Sequence, residues 1–284
     1  MKKEIRWGSR TYIMGIINLT PDSFSGDGLM NGTDLVNNAL EQANQFVSEG
    51  TDILDLGAES SRPDAEPVSA EEEEDRLMPV LTAILKNNLN AIISVDTYKS
   101  SVAESALRAG ADWINDIWGL RYDPSMAQIA AKYKAPVVIM HNGRELKPES
   151  PHSENEKRKD IINRVKNGLL ESINIAQEAG IQMENVILDP GIGFGKTVED
   201  NLALINRLDE IKAMGHPVLI GPSRKSFIGA TLNLTADQRL EGTAAAIAIS
   251  ITRGADIIRV HDMKAMLRVA RMCDAILNQK RKSI

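Results

Sequence analysis

Eight short runs rich in Ile, Val and Leu recur along this 284-residue chain, each followed by a longer stretch with helical apolar spacing. The runs are YIMGIIN (12–18), TDILDLGAE (51–59), AIISVDT (91–97), DWINDI (112–117), PVVIMH (136–141), NVILDPG (185–191), PVLIGPS (217–223) and DIIRVHD (256–262). A strand that must cross a helix before the next strand returns in the same direction, so the pattern dictates parallel pairing. Eight such units in this length point to an α/β fold of the (β/α)8 TIM-barrel type, usually about 250 residues. A doubly wound sheet shares the alternation and is the alternative. No low-complexity linker interrupts the chain, so residues 1–284 read as a single domain. The opening EIRWGSRTYIM predicts a short N-terminal hairpin turning at Gly8-Ser9 beneath the barrel. The loops after strands 1, 2 and 5 are long, and 142–158 is polar and rich in turn formers.

Composition excludes several classes. With 43% hydrophobic and 25% charged residues the chain reads as a water-soluble globular protein. The two lysines at the start precede no adequate apolar run, so no signal peptide is expected, and no stretch approaches the roughly 18 apolar residues of a membrane helix. A lone Cys273 excludes an internal disulfide and suggests a reducing compartment, the cytoplasm. The net charge of −6 weighs against nucleic acid as a partner. Four histidines without HxxxH or Cys/His spacing give no reason to expect a structural zinc.

The strand ends carry the chemistry. In order they present Asn18, Glu59, Asp96, Asn115, His141, Asp189, Lys225 just past its strand, and Arg259 with His261. A barrel builds its active site at the carboxyl ends of its strands. Alternation places Ile16 and Asn18, Ser94 and Asp96, Ile187 and Asp189, and Ile257, Arg259 and His261 on shared faces. An arginine and a histidine on a core-facing strand either neutralise acidic neighbours or hold an anionic ligand. DPGIGFGK (189–196) is not a dinucleotide fingerprint and GPSRKSF (221–227) is not a P-loop. Arg224 and Lys225 beside a helix start nevertheless suit an anion. Glu59 is expected to act through Arg62 or another rim cation, and His141 to orient a neighbour. EEEED (71–75) after Ser69 reads as a capped, solvated helix start, and GTAAAIAISITRGA (242–255) as barrel packing with a face suited to self-association.

Seven ordered segments carry a resemblance: MGIINLTPDSFSGDG (14–28), GAESSRPDA (57–65), SVDT (94–97), INDI (114–117), LDPGIGFGK (188–196), PSRKSF (222–227) and IIRVHD (257–262). In these the chain resembles the dihydropteroate synthases of folate biosynthesis. The resemblance implies a transferase on a (β/α)8 barrel. There 4-aminobenzoate displaces diphosphate from (7,8-dihydropterin-6-yl)methyl diphosphate by a dissociative route, with Mg2+ assisting. It implies Asp96, Asn115, Asp189 and Lys225 as pterin contacts, and Asn18, Ser61, Arg62, Arg259 and His261 around the diphosphate. Asn18 is also the implied metal ligand. Phe24, Pro63, Phe194 and Ser226 form the implied aminobenzoate walls, with Asp22, Asp27, Asp96 and Lys225 in catalytic roles. It further implies a homodimer and a sulfonamide target. Two departures stand out: SFSGDG replaces the usual SFSDGG, moving the acid to Asp27, and SSRPDA replaces STRPGA, introducing Ser61 and Asp64. A pterin-dependent methyltransferase module would lack the diphosphate clamp of PSRKSF and RVHD. A catalytically silent pterin-binding barrel is the other alternative.

Overall fold

A computed structural model describes residues 4–20, 32–60, 65–144 and 160–279 of the chain. Eight parallel strands follow in order: β1 (Tyr12–Asn18), β2 (Ile53–Gly57), β3 (Ile92–Asp96), β4 (Trp113–Asp116), β5 (Val137–Met140), β6 (Val186–Asp189), β7 (Leu219–Ile220) and β8 (Ile257–Val260). They form one sheet in which β1 pairs with both β2 and β8, β7 follows β8, and the remaining strands pair in sequence. A parallel bridge between Leu188 and Val218, with Leu188 N donating to the Pro217 carbonyl at 2.9 Å, joins β6 to the β7 edge. The sheet thereby closes into a (β/α)8 barrel, which a doubly wound sheet does not do.

The helices between the strands are α1 (Gly32–Glu49), α2 (Ala70–Lys86), α3 (Ser100–Ala109), α4 (Met126–Tyr133), α5 (Ile161–Glu178), α6 (Val198–Asn206), α7 (Leu208–Lys212), α8 (Ser226–Leu232), α9 (Leu240–Thr252) and α10 (Met263–Gln279). Their starts follow local chemistry. Ser69 caps α2 by accepting from Glu72 N at 3.1 Å, and Glu71, Glu72 and Glu73 occupy the positive end of its dipole. Thr197 and Asp200 form a reciprocal capping box on α6.

Strand alternation sorts the apolar residues into two cores. Outward side chains such as Ile13, Leu54, Ile93 and Ile258 pack under the helices, while Tyr12, Met14, Ile53, Ile92, Trp113, Val138, Ile187, Leu219 and Ile257 fill the lumen as a sealed floor. In place of a hairpin, the described part of the N-terminal segment makes a turn, with Ser9 N donating to the Arg6 carbonyl at 3.1 Å, and no strand ladder. Its apolar residues are drawn to the barrel bottom instead: Ile5 packs on the lumen cluster, and Trp7 lies 5.9 Å from Tyr12 and 6.4 Å from Trp113 between ring centres.

Candidate active site

Above the floor, the same inward positions turn polar. Asp55 of β2 is fully buried and acts as a hub. It accepts from Ser94 Oγ at 2.6 Å, Asn115 Nδ2 at 3.0 Å and Arg259 Nε at 2.7 Å. Arg259 Nη2 donates to Asp96 Oδ2, also at 2.7 Å. One guanidinium therefore bridges two carboxylates on neighbouring strands, and Nη1 is left without a hydrogen bond among the described residues. Burial pushes the Asp96 carboxyl up to about 7, the Arg259 charge opposes that shift, and Asp55 adds to it. For Arg259 burial favours the neutral form, but Asp55 and Asp96 outweigh it and its pKa stays raised. Of the two readings open for Arg259, neutralised acids or a held anion, the geometry supplies the acids.

Asp189 ends β6 almost fully buried, and Gly191 N donates to its Oδ1 at 2.7 Å. This turn needs glycine. Gly191 has φ +71°, and a Cβ there would fall 2.1 Å from the His141 carbonyl oxygen. Burial raises the Asp189 pKa, while the Gly191 N–H, Lys225, Lys196 and Arg259 oppose the rise. Lys225 bonds to the Ile192 carbonyl and sits 4.3 Å above the centre of the Phe194 ring. Loss of hydration lowers its ammonium to about 8. Arg144 lies over the same ring at 5.2 Å, so Phe194 is flanked by two cations. Ser226, exposed, opens α8 next to Lys225, and Asn18 is half-buried at the end of β1.

The remaining candidates scatter. β8 ends at Val260, so the alternation does not carry His261 inward. It sits at the rim with Nδ1 3.1 Å from Ser223 Oγ. Arg224 is engaged by Asp262, its Nε donating to Oδ2 at 2.8 Å. Glu59 accepts from Tyr98 Oη at 2.7 Å and pairs with Lys99, which also holds Glu73, so among the described residues its rim cation is Lys99. His141 faces helix α5, where a Cβ on Gly168 would fall 2.6 Å from its ring. Asp22, Phe24, Asp27, Ser61, Arg62, Pro63 and Asp64 lie outside the described residues, as does most of 142–158. Asp55 was not among the strand-end candidates. Its signal was an acid between Ile53 and Gly57, on the inward parity of a strand otherwise apolar.

The described residues contain no group of three or more His, Cys, Asp or Glu placed to hold a metal ion. No described helix is long and apolar enough to cross a membrane.

Comparison with known proteins agrees with this geometry. A family model described as pterin binding enzyme matches residues 14–261. The dihydropteroate synthase of Clostridium beijerinckii is 48% identical over 278 residues, covering 98% of this chain and 98% of its own. A crystal structure of dihydropteroate synthase from Clostridium difficile, determined in the presence of pteroic acid, superposes with a TM-score of 0.87 at 45% identity, covering 96% of this chain and 99% of the other. The Xanthomonas albilineans dihydropteroate synthase with 4-aminobenzoic acid gives 0.85 at 37% identity, over 94% and 93% of the two chains.

Proposed function

The chain belongs to the dihydropteroate synthase family of pterin-binding enzymes, and we propose that its barrel mouth joins 4-aminobenzoate to the methylene carbon of (7,8-dihydropterin-6-yl)methyl diphosphate. The observation that carries this reading is the polar layer over a sealed apolar floor: Asp55, Asp96, Asn115, Asp189, Lys225 and Arg259 converge where strands end. A pterin offers a flat amino-pyrimidinone edge of alternating donors and acceptors. Asp189 accepts from that edge, Asn115 both donates and accepts, and Lys225 donates to the ring heteroatoms. Phe194, held between two cations, forms a wall of the aminobenzoate site, and Ser226 receives its carboxylate.

The chemistry follows from charge. The methylene C–O bond breaks and its electron pair leaves on the diphosphate oxygen. The remaining cation is delocalised into the dihydropterin ring. Asp55, and Asp96 in its ionised form, offer negative charge that stabilises it as it forms. The amine nitrogen then forms the C–N bond and releases a proton to solvent. An arylamine attacking a cation needs no strong base, so the step calls for no histidine general base. Arg259, through the Nη1 that its two acids leave, and His261 from the rim receive the diphosphate with Ser61 and Arg62, and Asp22 and Asp27 take catalytic roles.

Asn18 offers a single hard oxygen, which fits an ion that phosphate oxygens and water mostly coordinate rather than a protein cage. Mg2+ held there would neutralise charge on the departing diphosphate. A homodimer is supported by exposed apolar residues on packed helices, Ile249 of α9 with Met272 and Ile276 of α10. The lone Cys273 supports a cytoplasmic setting, and the continuous barrel supports a single domain over 1–284. Calorimetry with 6-hydroxymethyl-7,8-dihydropterin tests the site directly. Wild-type protein binds it and Asp189→Asn, which places a donor where an acceptor is needed, loses affinity by about 1–3 kcal/mol. Equal affinity in the two proteins refutes the assignment.

A further inference from the structure

The motif DPGIGFGK ends in a lysine that the proposed chemistry leaves unused. Lys196 Nζ donates to the carbonyl oxygens of His141 at 3.0 Å and Phe194 at 3.2 Å. These carbonyls belong to different loops, one after β5 and one after β6. The same two loops are tied by Gly143 N donating to the Phe194 carbonyl at 3.1 Å and His141 N to the Asp189 carbonyl at 3.0 Å. The ammonium also lies against the tight turn that holds Asp189: a Cβ on Gly191 would fall 3.1 Å from Nζ. Among the described residues no carboxylate makes an ion pair with it. A half-buried ammonium seated only on carbonyls loses hydration without the usual compensating partner, so the position is costly unless its charge serves a neighbour. The acid just across the Gly191 turn is Asp189.

We propose that Lys196 is a positioning residue that couples the two substrate halves of the site: it holds the Phe194 carbonyl and the Asp189 turn in one frame and keeps the Asp189 carboxyl ionised. This rests on the functional reading above. The electrostatics agree, since Lys196 is among the groups that oppose the burial-driven rise of Asp189. Lys196 is itself lowered to about 7, by burial first, with Asp189 and Asp200 opposing and Lys225 and Arg164 adding to the shift.

Three variants of the full-length protein test this, with 6-hydroxymethyl-7,8-dihydropterin affinity by calorimetry, KM for 4-aminobenzoate, and melting temperature as readouts. Lys196→Met keeps the stem and removes charge and donors; it is expected to weaken the pterin about tenfold and raise the aminobenzoate KM several-fold. Lys196→Gln keeps donors without charge and is expected to weaken chiefly the pterin. Lys196→Arg keeps both. A cavity of about 100 Å³, lined by Lys196 with His141, Gly143 and Gly195, gives the longer group room. The arginine variant is expected to restore both ligands. If Lys196→Met fails to fold, the Gln and Arg variants decide. Wild-type affinity for both ligands in folded Lys196→Met, or equal losses in the Gln and Arg variants, overturns the proposal. Wild-type protein that binds no pterin overturns the functional reading, and this inference with it.

Discussion

Asp55 gives the sharpest quantitative test, because the same buried side chain can be changed in two ways with separable costs. Its Oδ1 accepts from Ser94 Oγ, and its Oδ2 accepts from Asn115 Nδ2 and Arg259 Nε. In Asp55→Asn the amide oxygen keeps the two obligate donors, and the amide NH2 turns to Ser94, whose hydroxyl can accept instead. Geometry survives and charge is lost. A charge-assisted hydrogen bond becomes a neutral one, a difference of about 1–1.5 kcal/mol. Asp55→Ala instead strands three donors, including a guanidinium whose Asp55 partner is fully buried, at about 3–5 kcal/mol. Unfolding entropy of about 2.1 cal/mol/K per residue makes one kcal/mol worth about 1.7 °C in a chain of this length. The expected drops in melting temperature are thus about 2 °C for Asn and about 5–8 °C for Ala, read by differential scanning calorimetry. Both variants should also slow turnover, since one fixed negative charge beneath the pterin is gone. An alanine variant melting within a degree of wild type, or an asparagine variant turning over normally, would falsify the account of this layer.

Three further outcomes follow from the same geometry. Asp96 titrates near 7 in the folded protein, above its ordinary value of 3.8, so the stability it contributes is fully present below about pH 4 and lost as pH rises through about 7. Asp96→Asn lacks that loss; its melting temperature should gain on wild type between pH 5 and pH 8, and a pH-independent difference contradicts the shift. Arg259→Ala leaves two carboxylates without their shared cation, so it should weaken the hydroxymethyl pterin and weaken the diphosphate-bearing substrate further. Paired calorimetric titrations check this, and equal losses remove Arg259 from the diphosphate site. Binding should be ordered: 4-aminobenzoate, and sulfonamides competing with it, should bind well only after diphosphate or the pterin substrate is added. Tight binding to the unliganded protein contradicts that order.

The barrel was legible because its signal repeats. Each apolar run ends within a few residues of the observed strand, since a lumen closed on both sides demands continuous apolar side chains there. Asn115 and Asp189 were visible because a polar residue abruptly ends such a run. Asp55 was hidden by its place two residues inside β2, where reading only the strand's end finds Glu59. The terminal residue was the wrong place to look, because the active layer begins one inward step below the rim. For His261 only the parity argument fails. Its parity matched Arg259 on paper, but β8 stops at Val260, and alternation has no meaning once the ladder hydrogen bonds end. The N-terminal segment carried a turn signal at Gly8 that is real; what pairs with it depends on the exposed apolar floor of a barrel that local sequence does not describe.

The central claim is the condensation itself, and coupled product analysis tests it most directly. Purified protein with (7,8-dihydropterin-6-yl)methyl diphosphate, 4-aminobenzoate and Mg2+ should yield 7,8-dihydropteroate and diphosphate in equal amounts. Omitting 4-aminobenzoate should abolish dihydropteroate, and Asp189→Asn should suppress both products together. Pterin substrate bound without either product, or diphosphate released at the same rate with no dihydropteroate formed, would contradict the account.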